Sequence, residues 1–470
     1  MSRATGIVVD AYTNGRLLPA AFAAYGVDLV HLQARDEVSA VLPRDLSGFT
    51  ESLVYDGGPA LARVRAHAPS FVIAGHDSGV SLADRLSELL GLPTNGTRLS
   101  ASRWDKYAMG ERLRGRGIRC ARQYKSADPA DLIRWRKESG LPAESPVVVK
   151  PVSSGGSDRV HVCRTDAEIE AAARAVLGGG PDVYAKPNTE VLVQSFLEGT
   201  EYIVDTVSRD GAHFVCGVWR YHKRLVGGRP VYDRDELLAS EEEPVPALVA
   251  YIHTVLDALG IRHGSAHAEV IVTPRGPALV EIGARMNGNM NQELHQVCLG
   301  HDQASLTALA YARPEAFRTE YAGRFYRRRR PAVVCNTATG RTGTVTRVDA
   351  RAVARIEALE AVRGVVVKLG AGDTIRPTTD LLTATLRVFL THADPSVLEA
   401  DSLAVRRLAE EVYEVDGIAA PTTDAAPAPD PTPAPDPTPA AEATPVPDPT
   451  PPPHAAAGAS RAGARPEARA

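Results

Sequence analysis

HAEVIVTPRGPALVEIGAR, residues 267–285, reads as two strands folded back on one another. Runs rich in valine and isoleucine flank the turn Pro274-Arg275-Gly276-Pro277, the pattern of a tight hairpin. Glu269 lies in the first run and Glu281 in the second, each between apolar residues. Folding would therefore carry two carboxylates to the same end of a cleft and bury both. An unpartnered buried carboxylate costs on the order of several kcal/mol, so the pair calls for a cation. Hard oxygen ligands suit Mg2+ bridging nucleotide phosphates. Arg285, four residues beyond Glu281, offers a planar, permanently charged fork for a carboxylate or an acyl-phosphate oxygen. The same residues also permit a structural network in which both glutamates pair with Arg285 or other bases. His267 shares a strand face with Glu269 and is expected beside the metal or the substrate. His263 is expected on the surface, because two histidines without a third ligand make a poor zinc site.

A phosphate-binding segment should accompany such a pair, and the P-loop pattern is absent. In its place SPVVVKPVSSGGSDRV, residues 145–160, ends an apolar strand on Lys150 and continues into Ser153, Ser154, Gly155, Gly156 and Ser157. Small residues let backbone N–H groups approach phosphate oxygens while a lysine supplies charge, although an ordinary hairpin loop uses the same composition. WRYHKRLVGGRPVYDRDELL, residues 219–238, sets Arg220, Lys223 and Arg224 beside a Gly-Gly pair. It reads either as a lid that closes cations over phosphates or as a solvated loop.

Working outward, residues 1–93 alternate short apolar runs with amphipathic patterns, which imply βαβ units around a mainly parallel sheet, an open α/β domain. Ligands gather at the carboxyl edge of such sheets, and AGHDSGV, residues 74–80, fits that position with Asp77 or Ser78, or forms a plain turn with a helix cap. Residues 94–330 have an α+β order with strands walling a cleft, and 331–417 read as a small β-rich appended subdomain. From Ile418 the chain becomes Ala, Pro, Thr and Asp, and 418–470 are expected to form a disordered tail. The net charge of -4 argues against a general nucleic-acid binder, Arg327 to Arg330 being a lone basic patch. Five scattered cysteines suggest neither a disulfide framework nor a Cys-rich metal site. The first residues lack the apolar core of a signal peptide and no long apolar run follows, so a cytoplasmic protein without membrane or nucleic-acid partners is expected.

Taken in order along the chain, these motifs resemble the ATP-grasp superfamily, over about residues 70–410. WDKYAMGERLRGRGI is similar to the family's helix with a phosphate-contacting lysine, which implies that role for Lys106. VVVKPVSSGGSDRV resembles its strand, nucleotide lysine and glycine-rich flap, implying nucleotide contacts for Lys150 and Ser153 to Ser157. VLVQSFLEGTEY resembles the linker between its two ATP-binding subdomains. There the resemblance implies that Ser195, Phe196 and Leu197 read the adenine edge, Gln194 the amino group and Glu201 the ribose. It places the A subdomain at 94–193 and the B subdomain at 194–330, with metal ligands Glu269 and Glu281 and with Lys150, His267 and Arg285 at the chemistry. EIGARMNG, HAEV and a C-terminal β subdomain are most similar to the L-amino acid ligase branch. That branch implies ATP with Mg2+ or Mn2+, small carboxylate and amine substrates such as amino acids, an acyl-phosphate route to an amide, and room for a homodimer. The chain departs from the family at Gly283, where many members carry a metal-binding Asn, and at Asp77, where a Glu is usual. A bicarbonate-using carboxylase of the same fold and a non-catalytic nucleotide-binding module are the competing readings.

Overall fold

A computed structural model describes residues 3–35, 45–226 and 229–417. The segment 418–470, expected as a tail, and the Gly-Gly pair at 227–228 lie outside the described residues.

The N-terminal strands β1 (Ala4–Val9), β2 (Val27–Gln33), β3 (Glu51–Val54) and β4 (Phe71–Ala74) form a wholly parallel sheet in the order β3-β2-β1-β4. Ile7, Val8 and Val9 are fully buried, which explains an apolar run without alternation: both faces of the sheet are covered. The helix Val80–Leu89 packs Leu82, Ala83 and Leu86 on one face. On the other lie Phe22 and four residues from much later in the chain, Met286, Met290, Ala304 and Ala308. The segment that follows Arg285 is thereby clamped against this domain.

A second sheet, β5 (Gln123–Ser126), β6 (Val147–Pro151), β7 (His161–Cys163) and β8 (Val191–Ser195), is antiparallel in the order β5-β8-β6-β7. Its apolar face closes on the helices Pro129–Glu138 and Asp166–Gly178, the latter begun by a capping box between Thr165 and Glu168.

The largest sheet takes β9 (Thr200–Arg209), β10 (Ala212–Val226), β11 (Arg229–Leu237), β12 (Gly264–Thr273), β13 (Gly276–Gly283) and β14 (Ala332–Asn336). Beyond these come β15 (Gly343–Val348), β16 (Val362–Val367), β17 (Thr374–Ile375), β18 (Leu386–Thr391) and β19 (Tyr413–Asp416). The sheet runs β13-β12-β9-β10-β11-β14-β18-β16, so three strands from the segment read as an appended unit extend the sheet that carries the two glutamates. Only β17-β15-β19 form a small sheet of their own. Pairing of β11 with β14 joins residues about a hundred positions apart, a relation that no local pattern encodes. The hairpin turn is tighter than the sequence suggested. Thr273 pairs with Gly276, leaving Pro274 and Arg275 as the loop, and Gly276 takes φ 101° there.

Cys163, Cys216, Cys298 and Cys335 are buried and Cys120 partly so, all free thiols in apolar packing. No described helix is long and apolar enough to cross a membrane.

Candidate active site

β12 and β13 lie in antiparallel register with Glu269 directly opposite Glu281. Side chains of opposite residues share a face, so the two carboxylates stand together at the floor of a cleft. Lys150 and Val148 of β6 form part of the facing wall, and Ser154 to Ser157 of the flap, Ser195 to Leu197, Glu201 and Lys106 complete the lining. The cleft thus lies between the second sheet and the largest one.

Lys106 is the first residue of the helix Lys106–Arg114, whose N-cap Asp105 accepts a hydrogen bond from the Ala108 N–H at 2.8 Å. The cap fixes where the helix begins and aims the Lys106 side chain into the cleft. Its Nζ lies 2.7 Å from Glu281 Oε2 and also donates to the Ser154 carbonyl, tying floor to flap. Burial opposes the charge on Lys106, but Glu281 outweighs it and the ammonium is stabilised. Burial likewise opposes the charge on Glu281, and Lys106 and Lys150 outweigh it, so that carboxyl is held below its ordinary range. Glu269 is the opposite case. Burial, then the charges of Glu281 and Glu201, push its carboxyl well above the usual range. Lys150, buried and repelled by Lys106, falls to about 8.

This unequal pair fits a divalent cation. Among the described residues, His267 Nε2 at 4.0 Å is the one basic atom within that distance of the Glu269 carboxylate, which leaves it without a close cation. Among the described residues no group of three or more His, Cys, Asp or Glu side chains is placed to hold a metal. Glu269 and Glu281 would hold one together with water and phosphate oxygens, the ordinary habit of Mg2+.

Of the residues expected to face a nucleotide, Lys106, Lys150, Ser154, Gly155, Gly156, Ser157, Gln194, Ser195, Phe196, Leu197 and Glu201 all line this cleft. Ser153 lines a smaller neighbouring compartment that shares Lys106, Ser154 and Glu281 with it. Gln194 donates its amide to Gln123 Oε1 at 3.0 Å, and Glu201 meets Lys223 Nζ at 2.5 Å and the Tyr232 hydroxyl at 3.2 Å. Of the three cations Arg220, Lys223 and Arg224 in the expected lid, Lys223 reaches the cleft. Arg220 pairs with Glu236 and Arg224 with Asp233, because the segment is a strand hairpin whose register shifts between His222 and Lys223.

Arg285 lies in the smaller compartment, bound through Nε (2.8 Å) and Nη2 (2.7 Å) to Asp77 Oδ2, while Nη1 donates to the Met286 carbonyl at 2.9 Å. Of the five N–H groups of a guanidinium, these three bonds leave two for a ligand. Burial disfavours both partners' charges, but each outweighs that for the other, and Asp77 sits at about 2. Gly283 explains itself here. A Cβ on it would stand 2.5 Å from Asp77 Oδ1, so the position usual for a metal-binding Asn is instead left open for the Asp77–Arg285 pair. Asp77 itself stands at the carboxyl edge of the N-terminal sheet beside His76, whose imidazole is depressed to about 4 by burial. Ser78 turns away and donates to Asp10 at 2.7 Å.

His267 Nδ1 donates to Asp205 Oδ1 at 2.7 Å, beside Glu269 as the strand alternation requires. His263 is not on the surface. Asn95 brackets its backbone on both sides, at 3.1 and 2.8 Å, and its ring is buried and lowered to about 4 by desolvation. Sequence reading also missed Tyr184 and Lys186. They sit in PDVYAKP, residues 181–187, a stretch with no strand or helix period, and reach the smaller compartment from the second sheet's side.

The profile described as an ATP-grasp domain matches residues 143–293, which span the flap, the linker strands and the two-glutamate hairpin. The chain is 30% identical to dapdiamide A synthase of Enterobacter agglomerans over 417 residues, covering 87% of this chain and 96% of that one. Among solved structures, an L-amino acid ligase from Bacillus licheniformis superposes with a TM-score of 0.67 at 18% identity, over 89% of this chain and 100% of that one. N5-carboxyaminoimidazole synthetase from Staphylococcus aureus, solved with ADP, gives 0.61 at 11% identity, over 87% and 98%.

Proposed function

This chain belongs to the ATP-grasp ligases, and from that premise we propose that it joins a small carboxylic acid, such as an amino acid, to an amine through an acyl phosphate, releasing ADP and phosphate. The observation that carries this reading is the junction of the two compartments. Lys106 and Glu281 border both, so a phosphate placed by the lysines of the cleft would meet a carboxylate held in the smaller compartment.

On this reading Lys106 and Lys150 neutralise the triphosphate and position it for in-line attack by the substrate carboxylate. Glu269 and Glu281 would hold Mg2+, which when bound supplies further neutralisation of phosphate charge. Gln194, Ser195 to Leu197 and Glu201 bind the nucleoside end. The two unspent N–H groups of Arg285 face the carboxylate and the oxyanion that forms when the amine attacks. Asp77 holds the guanidinium in place and keeps it fully charged. His267, fixed by Asp205, orients Glu269. The flap and Tyr184 keep water from the acyl phosphate, which would otherwise hydrolyse.

Screening pairs of amino acids and small acids for ADP release, with mass analysis of the product, tests the reading. Release that requires both an acid and an amine, with an amide mass, is expected. Release dependent on bicarbonate alone would favour a carboxylase, and ATP binding without release a binding module.

A further inference from the structure

The smaller compartment holds five charges. Arg285 is paired with Asp77 and Lys106 with Glu281. The fifth is Lys186, and among the described residues no carboxylate lies within 4.0 Å of its ammonium. Its Nζ sits 4.4 Å above the centroid of the Trp104 ring, a contact that orients a cation without neutralising it. Pairing thus cancels four charges and leaves one positive charge over.

That charge is presented by a built loop. Buried Asp182 accepts the backbone N–H groups of Tyr184 (2.9 Å) and Lys186 (2.8 Å) and donates its own N–H to the Lys186 carbonyl at 2.7 Å. Tyr184 donates to Asp77 at 3.3 Å, and a Cβ on Gly155 of the flap would stand 2.3 Å from its hydroxyl oxygen. The loop therefore spans the flap on one side and the Asp77–Arg285 pair on the other, and Asp182 holds its backbone by hydrogen bonds where it carries Lys186.

We propose that Lys186 anchors a spectator carboxylate: a carboxylate of one of the two substrates that is not the one activated. The assignment rests on the ligase reading above. An anion there restores the missing charge and accepts a charge-assisted hydrogen bond, whereas an uncharged group leaves a half-buried ammonium unmatched. The substrate bearing it is either the amine, as the free carboxylate of an amino acid, or the acid, as a second carboxylate.

The test uses the full-length enzyme and the acid–amine pair found by the screen. The kcat/KM of each substrate is compared with that of its analogue carrying a carboxamide in place of the spectator carboxylate. In the wild type one substrate should be favoured over its carboxamide by about ten- to a hundredfold, the range of a hydrogen bond to a charged group. In Lys186→Met that preference should fall to about one, Lys186→Arg should restore most of it, and the KM for ATP should not move. Which substrate shows the loss identifies the carrier. A preference that survives in Lys186→Met, or a change equal for the carboxylate and the carboxamide, overturns the assignment. Hydroxylamine added without the amine separates this from failure of the ligase reading. If the wild type makes no acyl hydroxamate from any acid, the ligase reading itself falls and the anchor with it. A hydroxamate formed equally by wild type and Lys186→Met, with the preference unchanged, sinks the anchor alone.

Discussion

At the scale of single residues, charge is apportioned unequally between like groups. Lys106 touches Glu281 and stays charged, whereas Lys150 has no such contact and falls to about 8. Only the charged form of Lys150 attracts a triphosphate, and bound phosphate would raise its proton affinity again. The sign follows: below about pH 8 the free enzyme carries the charge, and as pH rises through that value ATP affinity should weaken, by up to about tenfold per unit. Lys150→Arg keeps its charge and should flatten that dependence. Calorimetric titration of ATP between about pH 6.5 and 9.5 checks it. Equal slopes for both proteins would remove Lys150 from the nucleotide site. Lys150, Glu269 and Glu281 stood out in the sequence because a charged residue set within or at the end of an apolar strand is conspicuous. Lys186 did not, because its loop is shaped by side-chain-to-backbone bonds from Asp182, which leave no period in the sequence.

Among the elements, the β12–β13 hairpin matters most, since its register sets Glu269 against Glu281 and its end carries Gly283. Except for the irregularity between Glu269 and Val270, without which Glu269 would stand opposite Val280, the hairpin was readable from alternation and the turn. The reason for glycine was not, because Asp77 approaches it from a domain about two hundred residues earlier in the chain. Gly283→Asn would place a Cβ 2.5 Å from Asp77 Oδ1, so the Asp77–Arg285 pair must part. Restoring the asparagine usual in other members should therefore harm this one. Ligation should fall by about a hundredfold, the scale expected for a displacement of about 1 Å at a reacting centre, with ATP affinity nearly unchanged. Tighter metal dependence with full activity would show that Gly283 is merely a lost ligand. The β10–β11 hairpin teaches the converse: three cations near a Gly-Gly pair looked alike in sequence, and strand alternation with one register shift sends only Lys223 to the cleft.

For the whole molecule, the site requires three bodies of chain to be held in register: the N-terminal sheet supplies Asp77, the second sheet Lys150 and the flap, and the largest sheet the glutamates. Arg103, with no solvent exposure, links the first of these to the last. It binds Asp84 on the helix behind the N-terminal sheet at 2.8 Å and the carbonyl of Leu259 at 3.0 Å, at the end of a helix against the largest sheet. Arg103→Met would strand Asp84 in a buried setting, a cost of about 3 to 5 kcal/mol. The loss should be smaller at pH 5 than at pH 8, because burial already raises the Asp84 carboxyl and a neutral acid needs no cation. Denaturant unfolding at the two pH values measures this, and a loss below about 1 kcal/mol at both would make the link incidental. The central claim, activation through an acyl phosphate, is tested most directly by oxygen transfer. With both carboxylate oxygens of the acid labelled with 18O, one labelled oxygen should appear in the released inorganic phosphate for each amide formed. Unlabelled phosphate, or label in AMP, would contradict it.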